Sequence, residues 1–140
     1  MKQQRREQIV EVAKEMILKN DVQQVQLQDV AKEVGIGIAT FYRYFANKEL
    51  LILAVHNEII SQMNLELERI VSESSSAYEQ IERILTYYID LIDDPQHQFI
   101  KFFKAIEAYK QMPQDSNEYH DYIKVRRKMA HVLYLIAKKG

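Results

Sequence analysis

The sequence predicts an all-α fold, on three observations. Apolar residues recur at three- and four-residue intervals through almost the whole chain, and no window alternates convincingly as a strand. Helix-starting combinations precede several of these stripes: Asn47, the Ser76/Glu79 pair, Asp94 with Pro95, and the Asp115/Glu118 pair. Glycine is scarce, at three in 140 residues, and two of the three, Gly35 and Gly37, fall in one break between stripes.

Taken in order, Ile9, Val12, Ala13, Met16 and Ile17 give a first stripe that ends near Asn20. Leu27, Val30, Ala31 and Val34 give a short second one, stopped by Gly35. A third short helix is expected from about Ile38 to Tyr44. Asn47 caps a fourth, whose apolar residues continue through Ile59, Ile60, Met63, Leu67 and Ile70. Ser76 and Glu79 have capping-box spacing and open a fifth, with Ile81, Ile84, Leu85, Tyr88 and Ile92 expected inward. Asp94 and Pro95 open a sixth, carrying Phe99, Phe102, Phe103, Ile106 and Tyr109. The stretch MPQDSNE breaks it, and Asp115 with Glu118 starts a last helix through Tyr122, Ile123, Met129, Leu133 and Ile136.

Composition narrows the function classes. With no cysteine, disulfides, thiolate metal sites and a Cys nucleophile are excluded, which fits a reducing cytoplasm. The N-terminus scatters charges through its apolar positions, so it reads as neither a signal peptide nor a membrane span. His56, His97, His120 and His131 lack the two-His helical spacing of a metal site, and no glycine-rich phosphate loop exists. No catalytic residue, metal ligand or cofactor is expected. The net charge of −1 divides into 8 Lys/Arg against 7 Asp/Glu in residues 1–56 and 11 against 13 in residues 57–140. Local placement says more: Lys2, Arg5 and Arg6 form a basic start, and Arg43 and Lys48 bracket the aromatic run after Gly37.

Three helices with a short middle one and a glycine-containing turn before the third describe a helix-turn-helix, over about residues 27–45. In that motif the third helix enters the DNA major groove while its neighbours touch the backbone. Gly35 ends the second helix where a positive φ is cheap, and Gly37 serves as N-cap of the third. Ile36 and Phe41 then occupy the two positions of a hydrophobic staple. Phe41 and Phe45, four apart, face the core. Tyr42 and Tyr44 point elsewhere, where a phenol can donate to a phosphate oxygen. Thr40 is short enough for a phosphate or a base edge. Lys48 adds its charge to the N-terminal N–H groups of the fourth helix.

These residues carry a resemblance. The segment IVEVAKEMI…VQLQDVAKEVGIGIATFYRYFANKELLILAV, residues 9–55, resembles the DNA-binding domain of the TetR family of transcriptional regulators. The matching positions are Ile9, Ala13, Val30, Ala31, Gly35, Thr40, Phe41, Tyr42, Tyr44, Phe45, Lys48, Glu49 and Leu50. The resemblance implies a homodimer on a palindromic double-stranded DNA operator, a helical ligand-binding and dimerisation region after the helix-turn-helix, and repression relieved by a small molecule. On this sequence it implies Thr40, Tyr42, Tyr44 and Lys48 as DNA contacts; Gly37, Ile38, Ala39 and Arg43, in and beside the same short helix, complete the candidate DNA-binding residues. It divides the chain into a DNA-binding domain at 1–46 and a helical regulatory domain at 47–140, with the helix from 47 linking them.

Four positions depart from the family pattern. Gly37 stands where the family usually has Ser, Ile38 where it often has a polar residue, Gln26 where a small hydroxyl residue caps the second helix, and Asp21 where Gly is common. Ile38 reads either as a partner for thymine methyls or as an incidental contact with the second helix. Family members continue well past 140 residues and dimerise through two long final helices, so the chain is either a shortened member or part of a longer one. The aromatic residues of the second half read as core or as the lining of a pocket for an apolar or aromatic effector, with Tyr88, Phe99, Phe103 and Tyr122 as candidates. A second reading of the whole is a helical interaction module that keeps the fold and has lost specific DNA binding.

Overall fold

The computed structural model describes residues 2–94, 98–107 and 114–139. Among these residues the chain forms seven helices and no strand: α1 (Lys2–Lys19), α2 (Leu27–Val34), α3 (Ile38–Tyr42), α4 (Lys48–Glu73), α5 (Ala77–Ile92), α6 (Gln98–Glu107) and α7 (Asn117–Lys139). The expected Pro95 start of α6 and the inward place of Tyr109 lie outside the described residues. None of the described helices is long and apolar enough to cross a membrane.

The first three helices form the head. Ile9, Ala13 and Ile17 of α1 close on Val30, Ala31 and Val34 of α2 and on the fully buried rings of Phe41 and Phe45. Two residues of the α1–α2 turn, Val22 and Val25, are buried with them, a contribution the periodicity does not announce. Gly35 ends α2 at φ +86°, where its N–H reaches Ala31 O at 2.9 Å and the Ile36 N–H reaches the same carbonyl at 3.0 Å. Gln26 sits at the N-cap of α2 in extended geometry and makes no side-chain cap bond, as expected where a hydroxyl is missing. Helix α3 is shorter than its sequence suggests. After Tyr42 the bonds tighten to i→i+3, Arg43 N to Thr40 O and Tyr44 N to Phe41 O, so Arg43 and Tyr44 form the turn that leads out.

Helix α4 is the axle of the molecule, about 39 Å long at 1.5 Å per residue. Asn47 caps it as predicted, its Oδ1 accepting from Leu50 N at 2.9 Å. Every residue from Leu51 to Asn57 is buried, so at that level α4 is enclosed on all sides. Helix α7 lies along it, running in the same direction. Asn57 Nδ2 donates to Glu118 O at 2.9 Å, Asn64 Nδ2 to Val125 O at 3.2 Å, and Lys128 pairs with Glu68 at 3.1 Å. The two asparagines are seven residues apart and grip carbonyls seven residues apart, which fixes the axial register of the two helices.

Four local expectations are corrected. In α5, Ile84 and Tyr88 are half-buried as predicted, but Ile81, Leu85 and Ile92 are exposed; the packed face runs instead through Gln80, Ile84, Tyr87 and Leu91. Helix α5 is apolar around roughly 200° of its circumference, taking 100° per residue, so two adjacent faces compete on sequence grounds and the described residues cover only one. In α7, Leu133 is exposed while its neighbour Val132 is buried, because the contact line along α4 passes through Val125, Met129 and Val132. The capping box of α5 is shared: Ser76 Oγ accepts from Glu79 N at 3.1 Å, while the Glu79 carboxylate returns to Ser75 N at 3.0 Å. At α7 the capping hydroxyl is that of Ser116, which accepts from Tyr119 N at 3.1 Å, in place of the expected Asp115.

Candidate nucleic-acid interface

The third helix owes its position to what lies behind it. Phe41 and Phe45 are 0% exposed, with ring centroids 6.1 Å apart, and they pin one side of the segment to the core. The opposite side is open. Gly37, Ile38, Ala39 and Thr40, the N-cap and the whole first turn, are all exposed, so this end of the helix projects from the head. Gly37 takes an extended N-cap geometry at φ −69° and accepts from Phe41 N at 3.0 Å through its carbonyl. Ile36 is half-buried against the core, as a staple residue should be.

Of the two tyrosines expected to point away from the core, only Tyr42 does so fully. Tyr42 is 46% exposed, its ring edge-on to Phe41 with centroids 6.5 Å apart. Tyr44 is half-buried, its ring packed against the core cluster. Arg43 is exposed beside them. Lys48 is half-buried, and its Nζ donates to Gln23 O in the α1–α2 turn at 3.3 Å, an arrangement the sequence does not announce. Partial burial pulls the Lys48 ammonium below its ordinary pKa, against the upward pull of Glu49 and Asp21. The same side chain therefore fastens the start of α4 to the head and presents a cation beside the α4 N-terminus.

A further cation is built in behind the open face. Arg6 of α1 lies over the Phe45 ring, 5.1 Å from its centroid, and its Nη2 pairs with Glu118 Oε1 of α7 at 3.2 Å. The sequence places Arg6 in a basic start; the structure turns it inward. Only a knowledge of which face of α1 meets Phe45 separates it from the exposed Lys2 and Arg5.

The four candidate pocket residues are only partly brought together. Phe99 and Phe103 stack at 6.3 Å, Phe103 meets the buried His56 edge-on at 6.0 Å, and Tyr122 lies 5.5 Å from His56 on another side. Tyr88 pairs with Tyr87 at 5.7 Å instead. Burial, first, and the nearby Arg126 charge hold the His56 imidazole below its ordinary pKa, partly offset by its hydrogen bond with Asn57. Two clefts at the seam between head and body are lined by other residues. One, of about 780 Å³, opens between α1, α4 and α7 beside Arg6, Asn57 and Lys124. The other, of about 450 Å³, lies between the end of α1 and α6, beside Ile17, Asn20 and Phe102. Among the described residues no group of His, Asp or Glu is arranged to hold a metal ion.

A three-helix head with a projecting third helix, joined by a long fourth helix to a helical body, is the architecture of helix-turn-helix transcriptional regulators. Residues 9–55 match the family of bacterial regulatory proteins of the tetR type. It is 37% identical over 73 residues to an HTH-type transcriptional regulator, SAR0097, of Staphylococcus aureus strain MRSA252, covering 51% of this chain and 38% of that protein. It is 31% identical over 94 residues to the fatty acid metabolism regulator protein of Bacillus subtilis strain 168, covering 66% of this chain and 48% of that protein. The chain thus spans about half the length or less of these curated relatives. In fold it superposes on the ketosteroid transcriptional regulator KstR2 of Mycobacterium tuberculosis with a TM-score of 0.61 at 18% identity, over 97% of this chain and 69% of that one. A crystal structure of a TetR/AcrR family regulator gives a TM-score of 0.64 at 20% identity, over 99% and 74%. These relatives and neighbours are transcriptional regulators, not enzymes.

Proposed function

We propose that the chain carries the DNA-binding head and a helical regulatory region of a ligand-responsive repressor that binds a palindromic operator as a homodimer. The observation that carries this reading is the contrast across α3 and its flanks: Phe41 and Phe45 fully buried, Gly37 to Thr40 exposed. A helix held so firmly on one side and bare on the other presents a rigid edge to a groove. The roles then divide. Thr40 and Ala39 meet base edges, with Ile38 against a thymine methyl. Tyr42, Arg43 and Tyr44 hold phosphates, and Lys48 with the first turn of α4 adds a cationic backbone contact. The division of labour falls near residues 46 and 47, where α4 begins. An apolar or aromatic effector among the aromatic residues around His56 would shift α4 and α7 together, and with them the spacing of two recognition helices that must fit half-sites about 34–36 Å apart.

Selection from a pool of random duplexes tests the reading: enrichment of an inverted repeat supports it. In gel shifts on the selected duplex, Tyr42→Phe and Lys48→Ala are expected to weaken binding to all sequences. Lys48→Ala should also lower the slope of log K against log salt by about 0.9, the contribution of one phosphate contact. Ile38→Ser should change base preference. A second reading, a helical interaction module without specific DNA binding, is favoured by the engagement of Lys48 with Gln23 O and by the near-neutral charge of residues 1–56. No enrichment at low salt would decide for it.

A further inference from the structure

The junction between head and body contains a charged side chain with two jobs. Arg6 belongs to α1, yet it touches the element that follows the recognition helix and the first turn of α7 at once. Its guanidinium lies 5.1 Å from the centre of the Phe45 ring, and Phe45 in turn packs on Phe41 at the buried side of α3. Its Nη2 reaches Glu118 at 3.2 Å, with the two side chains only 28% and 10% exposed. Glu118 is itself fixed from a third direction, since its carbonyl accepts from the buried Asn57 Nδ2 at 2.9 Å. Asn57 adjoins His56, on which Phe103 and Tyr122 lie. Among the described residues, this is the one ion pair that joins α1 to α7.

Two features mark the pair as more than surface decoration. An exposed Arg–Glu pair holds its partners loosely, because both side chains retain rotamer freedom and water screens them. Here the acid is nine-tenths covered, its main chain is clamped, and the base is sandwiched between the acid and an aromatic face. A planar guanidinium can serve a carboxylate with its edge and a ring with its face together, which an ammonium does less well. Any displacement of the first turn of α7 therefore pulls on Arg6, and Arg6 is seated on the ring that sets the base of the recognition segment.

We propose that Arg6 and Glu118 are positioning residues that fix the angle of the recognition helix to the body, so that movement at the start of α7 is passed to the DNA-facing edge. The consequence for DNA rests on the function proposed above; the mechanical claim does not, and it is read without DNA. The chain has no cysteine, so introduced ones can be labelled cleanly. Spin labels at Glu33→Cys and Arg127→Cys, both exposed positions, report the head-to-body distance, and Gln62→Cys with Arg127→Cys serves as a control within α4 and α7. Arg6→Met and Glu118→Gln are each expected to widen the first distance distribution about twofold and leave the control and the helical content unchanged; Arg6→Lys should lie between them and the parent. Unchanged widths in both single variants overturn the proposal, and so does equal broadening of the control, which would mean general loosening. On a selected duplex, Arg6→Met should weaken binding about fivefold, the low end of ordinary coupling between sites, with the salt slope intact. A slope lower by about 0.9 would make Arg6 a phosphate ligand and overturn the positioning role. Failure of the parent chain to bind any duplex would defeat the proposed function alone, since the distance measurement would still decide the pair.

Discussion

Gly35 and Gly37 stand two residues apart and answer to different physics. At Gly35 the backbone is left-handed, φ +86°, and a Cβ there meets no atom within 4 Å, so the cost of substitution is conformational alone. Gly35→Ala is expected to lower stability by about 1–2 kcal/mol, read by urea unfolding. At Gly37, φ is −69° and the space is again open, so Gly37→Ser should fit, cap α3 and stabilise by a few tenths of a kcal/mol, about what Ser gains over Gly at an N-cap. His56 makes the residue-scale case for pH. Its folded pKa lies below its ordinary value of 6.5, so the unfolded chain binds the proton first as pH falls. Stability from this group is fully present above about pH 6.5 and is lost as the pH drops from there toward the folded pKa. Thermal melts should therefore show a loss of stability below pH 6.5 that is reduced in His56→Phe.

At the scale of elements, α4 and α7 are held in register by two asparagines that the hydrophobic pattern passes over. Their buried amides differ in balance. Asn57 bonds at both ends, to Glu118 O and to His56, whereas Asn64 Oδ1 is buried without a hydrogen-bond partner. Asn57→Leu is expected to destabilise by about 1–2 kcal/mol, since it strips partners from buried groups, while Asn64→Leu should be near neutral or stabilising. Opposite shifts in melting temperature would check this. Boundaries were legible where a side chain states them: Asn47 and Ser76 cap the helices they were expected to cap. They were less legible where two candidates lie side by side, as with Asp115 and Ser116, because a cap is chosen by backbone geometry that the sequence only implies. The end of α3 was missed for a related reason. Tyr42, Arg43 and Tyr44 are all compatible with helix, and it is the burial of Phe45 that turns the chain there.

For the molecule as a whole, the head was readable because a glycine pair, a phenylalanine pair and a single stripe per helix leave few ways to pack it. The candidate interface was readable for the same reason: placing Phe41 and Phe45 inward leaves Gly37 to Thr40 nowhere to go but out. The body was harder. Helix α5 offers two apolar faces, and the one left bare carries Tyr78, Ile81, Leu85, Ile89 and Ile92, each at least half exposed. Periodicity shows that such a face exists and is silent on what it meets. Its consequence belongs to the thermodynamics of the isolated chain. Hydrocarbon already wetted in the native state contributes nothing new on melting, so the heat-capacity increment should fall below the usual 12–15 cal/mol/K per residue, or roughly 1.7–2.1 kcal/mol/K at this length. Differential scanning calorimetry should find the smaller value, together with a shallow denaturant dependence and a broad, gently curved stability profile.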